Sequence, residues 1–318
     1  MTHGCARSVG ASAVRCRPVK LSSLFDADSL RRHRLAYACA TGIVVLALVE
    51  AGNALLAPLR APADRDWRSL AAEVRAGFRP GDLIVAAPAW ADPLVRLHLG
   101  DLIPVAVAGR LDAGRFGRIW EISQRGARAP ETDGAKVVQS SRHGALTLRR
   151  CERPARQVSF DLVTEWNRAI VSRVVPGGQP SWCYRAGERF ECTDPPAQTV
   201  KVELLEIDTS PHLALATPLT SRATTVIEFD RVSLGRELAV GAGLHNVWLR
   251  KSGQGTVTLR VLVQGRELGH IQAGSLTGWT VRSFDTTALA GQTATVRFEI
   301  TADDPGARYF GFAAEARS

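Results

Sequence analysis

TVTLRVLVQGRELGHIQA (256–273) decides how the chain is read. Val257, Leu259, Val261 and Val263 fall on one side of an extended strand, and Thr258, Arg260 and Leu262 on the other, the period of two that a pleated strand imposes. Gln264-Gly265 then supplies the residues of a tight hairpin turn. The same period runs outward through VKVELLEI (200–207), TTVIEFDRVSL (224–234), LHNVWLRKS (244–252), WTVRSFDT (279–286), ATVRFEIT (294–301) and RYFGFAAEA (308–316). Short alternating strands separated by Gly, Asp, Ser and Pro predict a jelly-roll β-sandwich over 200–318.

Upstream the period lengthens. Trp67, Leu70, Ala71, Val74 and Phe78 recur at helical spacing, with Asp64 or Asp66 as cap and Arg79-Pro80-Gly81 as stop. DLIVAAP (82–88), LIPVAVAG (102–109), RIWEIS (118–123) and ALTLRRCE (145–152) read as strands, and Ala91–Leu99 as a short helix with Asp92 and Arg96 spaced to pair. Residues 126–144 read as a loop, and 158–174 as a strand followed by a helix carrying Leu162, Trp166 and Ile170 on one face. The expectation is a small α/β, Rossmann-like layer over 64–174, joined to the sandwich by a Pro- and Gly-rich connector over 175–199.

Before the α/β layer lies LAYACATGIVVLALVEAGNALLAPL (35–59), without a charge until Glu50. About 20 apolar residues cross a bilayer, so 35–58 is read as a transmembrane anchor and the lipid bilayer as its partner. Seven Arg and Lys against Asp26 and Asp28 give residues 1–34 a charge of +5. By the positive-inside rule this basic tail stays cytoplasmic. The expectation is a single-pass protein of the cytoplasmic membrane with its bulk outside. Ala61-Pro62-Ala63 and Gly52-Asn53-Ala54 leave a cleaved signal as the alternative.

The tail supplies more than half of the formal net charge of +9, so the remainder is only mildly basic and does not point to nucleic acid. Of the six cysteines, Cys183 and Cys192 flank a compact polar stretch and are expected to form a disulfide in an oxidising compartment. A metal site is disfavoured by the lack of a second Cys pair or a nearby His. Cys151 is left over, as a buried thiol or an intermolecular link.

Motifs for a nucleophile elbow, a phosphate loop, a dinucleotide fingerprint or a zinc helix do not occur, so no catalytic residue, cofactor or metal is assigned. Ligands of α/β sheets bind beyond the carboxyl ends of the strands. That places Trp90, Asp92, His98, Asp101, Arg110 and Asp112 as a candidate cleft, unless Trp90 packs its loop and Asp92 only pairs with Arg96. On the sandwich, aromatic rings flanked by polar groups suit a sugar: Trp248 with Asn246 and Arg250, Trp279 with Arg282, and Tyr309 with Arg308. Each ring could equally fill the core or cover a sheet edge.

DWRSLAAEVRAGFRPGDLIVAAPAW (66–90) with GRLDAGRFGRIWEIS (109–123) resembles the soluble extracytoplasmic tail of membrane-embedded glycosyltransferases of the protein mannosyltransferase type. The likeness lies in a helix opened by Asp-Trp, Pro-Gly-Asp before an apolar strand, and an Arg-x-Trp strand. The multi-spanning catalytic core is absent here, so the likeness implies a glycan-related setting and carries no catalytic residue across. Gly278-Trp279, DTTALAG (285–291) and RYFGFAAEA resemble galactose-binding-like jelly rolls, which implies a fold rather than a ligand. The leading expectation is an anchored extracytoplasmic binding or structural protein that recognises envelope glycan and has no catalytic centre. The alternatives are an accessory subunit or degenerate relative of a glycosyltransferase, partnered by a polytopic membrane protein, and a hydrolase working at the Trp90/Asp92/His98 edge.

Overall fold

The computed structural model describes residues 27–193, 198–219, 223–245, 255–274, 277–303 and 309–318. They belong to two compact units, one ending at Ala61 and one running from Pro62 to Ser318. The first holds one helix, α1 (Ala27–Arg60), in which Ala36–Leu56 is a 21-residue apolar span. By length and composition it suffices to cross a membrane, as an anchor or a signal sequence would.

The second unit opens on an α/β layer. Its helices are α2 (Asp64–Gly77), α3 (Asp92–Leu99) and the single turn α4 (Val105–Ala108). Its strands are β1 (Leu83–Ala87), β2 (Arg118–Gln124), β3 (Lys136–His143) and β4 (Leu146–Glu152), in the order β1-β2-β4-β3. Only β1 and β2 are parallel. The apolar face of α2, with Trp67, Leu70, Ala71 and Val74, covers one side of the sheet, and Ala113, Phe116 and Ala129 cover the other. The Pro-Gly-Asp and Arg-x-Trp motifs meet: Trp120 Nε1 donates to Asp82 Oδ2 at 2.8 Å, with Arg118 Nη2 3.5 Å from the same oxygen.

Three local expectations are corrected here. LIPVAVAG is no strand; Pro104, which has no N–H to give a ladder, caps α4 instead. The 126–144 segment is not all loop, because its second half pairs with β4 as the edge strand β3. Beyond residue 161 the predicted helix is replaced by a turn and a strand. Asp161 Oδ1 accepts from the N–H groups of Val163 and Thr164, and a single 3-10 turn follows at Trp166–Arg168. With one parallel pair, the layer lacks the repeated β-α alternation of a Rossmann-like sheet.

The rest is a β-sandwich built from β5 (Val158–Asp161), β6 (Ile170–Val174), β7 (Ser181–Trp182), β8 (Tyr184–Ala186), β9 (Arg189–Cys192), β10 (Gln198–Ile207) and β11 (Ser210–Pro218). It continues with β12 (Thr224–Ser233), β13 (Glu237–Leu244), β14 (Val257–Val263), β15 (Arg266–Ala273), β16 (Thr280–Asp285), β17 (Thr293–Ala302) and β18 (Tyr309–Arg317). The six-stranded sheet runs β15-β14-β17-β12-β6-β7 and the eight-stranded sheet β16-β13-β18-β11-β10-β9-β8, with β5 also on β18. Between them Phe160, Phe229, Phe298 and Phe312 form a chain of ring contacts at 5.0–6.4 Å. Gln264 and Gly265 both take positive φ between β14 and β15, as the hairpin reading required.

β11 and β13 were not among the expected strands. Their sequences, SPHLALATP and ELAVGAGL, do not alternate because most of their residues are buried whichever face they point to. Cys183 and Cys192 form a disulfide across the β7–β9 segment, and Cys151 is a buried free thiol.

Candidate functional site

Gly109 to Gly117, the segment between α4 and β2, lies against the outer face of the eight-stranded sheet and is bonded along its whole length. Gly109 O accepts from Leu213 N at 2.7 Å, and Leu111 O from Trp279 Nε1 at 3.0 Å. The Leu111 side chain packs on Ala239 and Ala313. Asp112 takes both Nη groups of Arg317 at 2.7 and 2.9 Å, and Arg115 Nη1 reaches Asp161 at 3.0 Å and Glu315 at 3.2 Å. Gly114 O and Gly117 O accept from Arg156 N and Arg153 N.

Small residues on the sheet make this approach possible. A Cβ on Gly241 would lie 2.5 Å from the Trp279 ring and 2.6 Å from Leu111. Arg317, fully buried, is balanced by Asp112 and Glu315. Burial works to raise the Asp112 carboxyl, but the Arg317 guanidinium and the Gly114 N–H together hold it below the usual range.

Above this contact the α/β layer and the sandwich enclose a groove of about 1280 Å³. One wall is the carboxyl end of β1, the 3-10 turn Ala89–Ala91 and the start of α3, which bring Trp90, Asp92 and Arg96 to it. The opposite wall is the β10–β11 hairpin with Trp279 and Val281. Asp208 and Thr209 form that hairpin with φ of 51° and 61°. A β-branched residue in the left-handed region is strained by about 1–3 kcal/mol, and such strain gathers at functional sites.

Aromatic groups stand at both walls. Trp90 is 62% exposed, a ring held out to solvent at the rim. Trp279 is half-buried, and His212 stacks on it with centroids 4.3 Å apart and planes 11° from parallel. Burial lowers the His212 imidazole to about 4, so it is neutral at pH 7, with Nδ1 3.4 Å from Arg110 O.

The expected cleft residues divide. Trp90, Asp92, Arg110 and Asp112 line the groove. Asp92 accepts from Arg96 Nε at 2.5 Å, and Arg110 Nη2 donates to Glu131 at 2.6 Å. His98 and Asp101 are not in the lining. His98 stacks on Trp67 at 5.5 Å, and Asp101 is doubly bonded to Arg75, whose guanidinium lowers its carboxyl. No two of Asp92, His98, Asp101 and Asp112 bond to one another, as an acid–base pair would require.

The sandwich candidates divide too. Arg282 does not accompany Trp279: it lies over Phe284 at 5.2 Å and donates to His270 O, while Trp279 turns to the groove. Tyr309 packs against the cluster of Leu205, Ile207, Ala214 and Ala216 and donates to Glu203 at 2.6 Å. Asn246, Trp248, Arg250 and Arg308 lie outside the described residues. The sequence offered no signal for His212, Arg153 or Arg156, because the first sits in an unrecognised strand and the others in a loop.

A second polar cluster ties α2 to β3. Ser69 Oγ is 2.9 Å from His143 Nδ1, His143 Nε2 is 2.8 Å from Glu73, and Ser141 and Gln139 also donate to Glu73. Ser69 sits inside a helix whose N–H groups bond within the helix, leaving no local donors for an oxyanion. The cluster is a clamp on the edge strand.

No family model matches the chain, and no curated protein matches it. Solved structures similar to it include carbohydrate-binding modules. One is the CBM51-2 and INT domains from Clostridium perfringens ZmpB, at 12% identity and TM-score 0.26 over 36% of this chain; the chain spans only 25% of that structure. CBM51 from Clostridium perfringens GH95, in complex with methyl-galactose, is 10% identical with TM-score 0.26, over 36% of this chain and 79% of the other. The xylan-binding module CBM15 is 10% identical with TM-score 0.27, over 46% and 90%.

Proposed function

We propose that this is an extracytoplasmic binding protein, held to the cytoplasmic membrane by α1, whose groove takes a cell-envelope carbohydrate and performs no chemistry of its own. The observation that carries the reading is the exposed Trp90 ring at the rim of a groove walled by Arg110, Glu131, Thr209, Ser210 and the His212–Trp279 stack. A sugar presents an apolar face to an aromatic ring and hydroxyls to hydrogen-bonding groups, and this groove offers both. The groove carboxylates Asp92, Glu131 and Asp112 are each engaged by an arginine, which suits positioning rather than proton transfer. The basic residues before the apolar span favour a cytoplasmic amino terminus, and the Cys183–Cys192 disulfide suits an oxidising exterior.

The test is retention of the detergent-solubilised full chain on a glycan array and on envelope polysaccharide. Trp90→Ala is expected to weaken retention about tenfold or more, the cost of removing one stacked ring. No retention on any glycan, or an alanine variant that binds as well as the parent, sinks the reading.

A further inference from the structure

The groove is lined by four acidic and four basic side chains, and not every one of them has an oppositely charged partner. Asp92 is paired with Arg96, Glu131 with Arg110, Asp112 with Arg317, and Arg156 with Glu237. Asp208 is engaged as well. Arg153 differs: among the described residues no carboxylate lies within ion-pair distance of it. Its Nε donates to Phe116 O at 3.3 Å and its Nη2 to Ala113 O. Those two carbonyls belong to the Gly109–Gly117 segment, so the guanidinium is held beside the groove by neutral acceptors alone. Among the described residues its Nη1 has no hydrogen-bond partner.

The loop that carries it is equally fixed. Arg153 N and Arg156 N donate to Gly117 O and Gly114 O, and Gln157 N donates to Ser318 O. His212, neutral at pH 7, adds no charge to the opposite wall. A half-buried guanidinium held by two carbonyls in the lining of a cavity, with no counter-ion among the described residues, is an arrangement that an anion completes. A charge-assisted bond to an oxyanion is about twice as strong as a neutral one.

We infer that Arg153 is the anion-binding point of the groove and that the ligand is an acidic glycan, whose carboxylate or phosphate accepts from its free Nη1. This rests on the carbohydrate reading and narrows it to a substrate class.

Calorimetry on the full chain in detergent tests it, with oligogalacturonate, a phosphorylated mannan oligosaccharide and uncharged oligogalactose as probes. At least one acidic probe is expected to bind about tenfold tighter than the neutral one at low salt. That preference is expected to shrink as salt is raised to about 0.5 M, where charges are screened within a few ångströms. Arg153→Gln is expected to bring the acidic probe to the level of the neutral one. Whichever acidic probe binds names the anion. If the variant loses its fold along with its carbonyl contacts, the salt series on the parent protein still decides. Equal affinity for all three probes, or a preference indifferent to salt, overturns the inference and leaves glycan binding standing. Failure of every probe and every arrayed glycan removes both.

Discussion

The six-stranded sheet turns its outer face to solvent, and charges cover it: Arg260 bridges Glu299 and Glu267 at 2.8 and 2.6 Å across three strands. The eight-stranded sheet turns part of its outer face to the α/β layer, and there Gly241, Ala239, Ala313 and a buried ion cluster lie beneath the Gly109–Gly117 segment. Both sheets contribute to the same phenylalanine core, so the difference lies wholly on their backs. A back exposed to water needs polar side chains at every second position. A back that receives another layer needs flatness, and any charge there must be answered.

The comparison can be broken at its most committed point. Arg317→Ala strands Asp112 and Glu315 in a buried site and is expected to cost about 3–5 kcal/mol in urea unfolding; a loss below about 1 kcal/mol would mean that the ion cluster does not hold the layers together. Gly241→Ala drives a methyl into the Trp279 ring and Leu111. Overpacking of that kind is expected to cost about 1–3 kcal/mol, and to disturb tryptophan fluorescence at the groove.

Acid sharpens the contrast. The unfolded His212 imidazole titrates at 6.5 and the folded one at about 4. Between those values the unfolded chain takes up a proton that the folded chain refuses. Stability therefore falls as pH drops from about 6.5 toward 4, by on the order of 2 kcal/mol. His212→Phe keeps a ring on Trp279 and is expected to flatten that part of the stability curve. The smallest effect belongs to the solvated back: Arg260→Ala is expected to cost less than about 1 kcal/mol, and a larger loss would put that ladder in the same class as the buried cluster.

The same division governs what could be read from the residues. β14, β15 and β17 alternate because water faces one side of them, and their hairpin and inward residues were legible from period alone. β11 and β13 were not, since a strand covered on both faces has no reason to alternate, and SPHLALATP, with two Pro and two Ala, carries little strand propensity. LIPVAVAG misled for the opposite reason: an apolar run reads as a strand, although Pro104 and Gly109 close VAVA off as a single helical turn.

The groove was half legible. Trp90, Asp92, Arg110 and Asp112 came from the rule that ligands gather beyond strand ends. Arg153, His212 and the strained Asp208–Thr209 turn depend on the sandwich docking beside that edge. No local pattern encodes a contact between residues as far apart as Asp112 and Arg317.

β18 lies inside its sheet, between β13 on one side and β11 and β5 on the other, and all three precede it along the chain. A polypeptide delivered from its amino end must therefore wait, with the hydrogen-bonding edges of β11 and β13 bare, until residues 309–317 emerge to fill the slot. Bare edges invite pairing with other chains. Until β18 is in place those two edges stay open to such pairing, so shielding them during synthesis falls to something other than the fold itself.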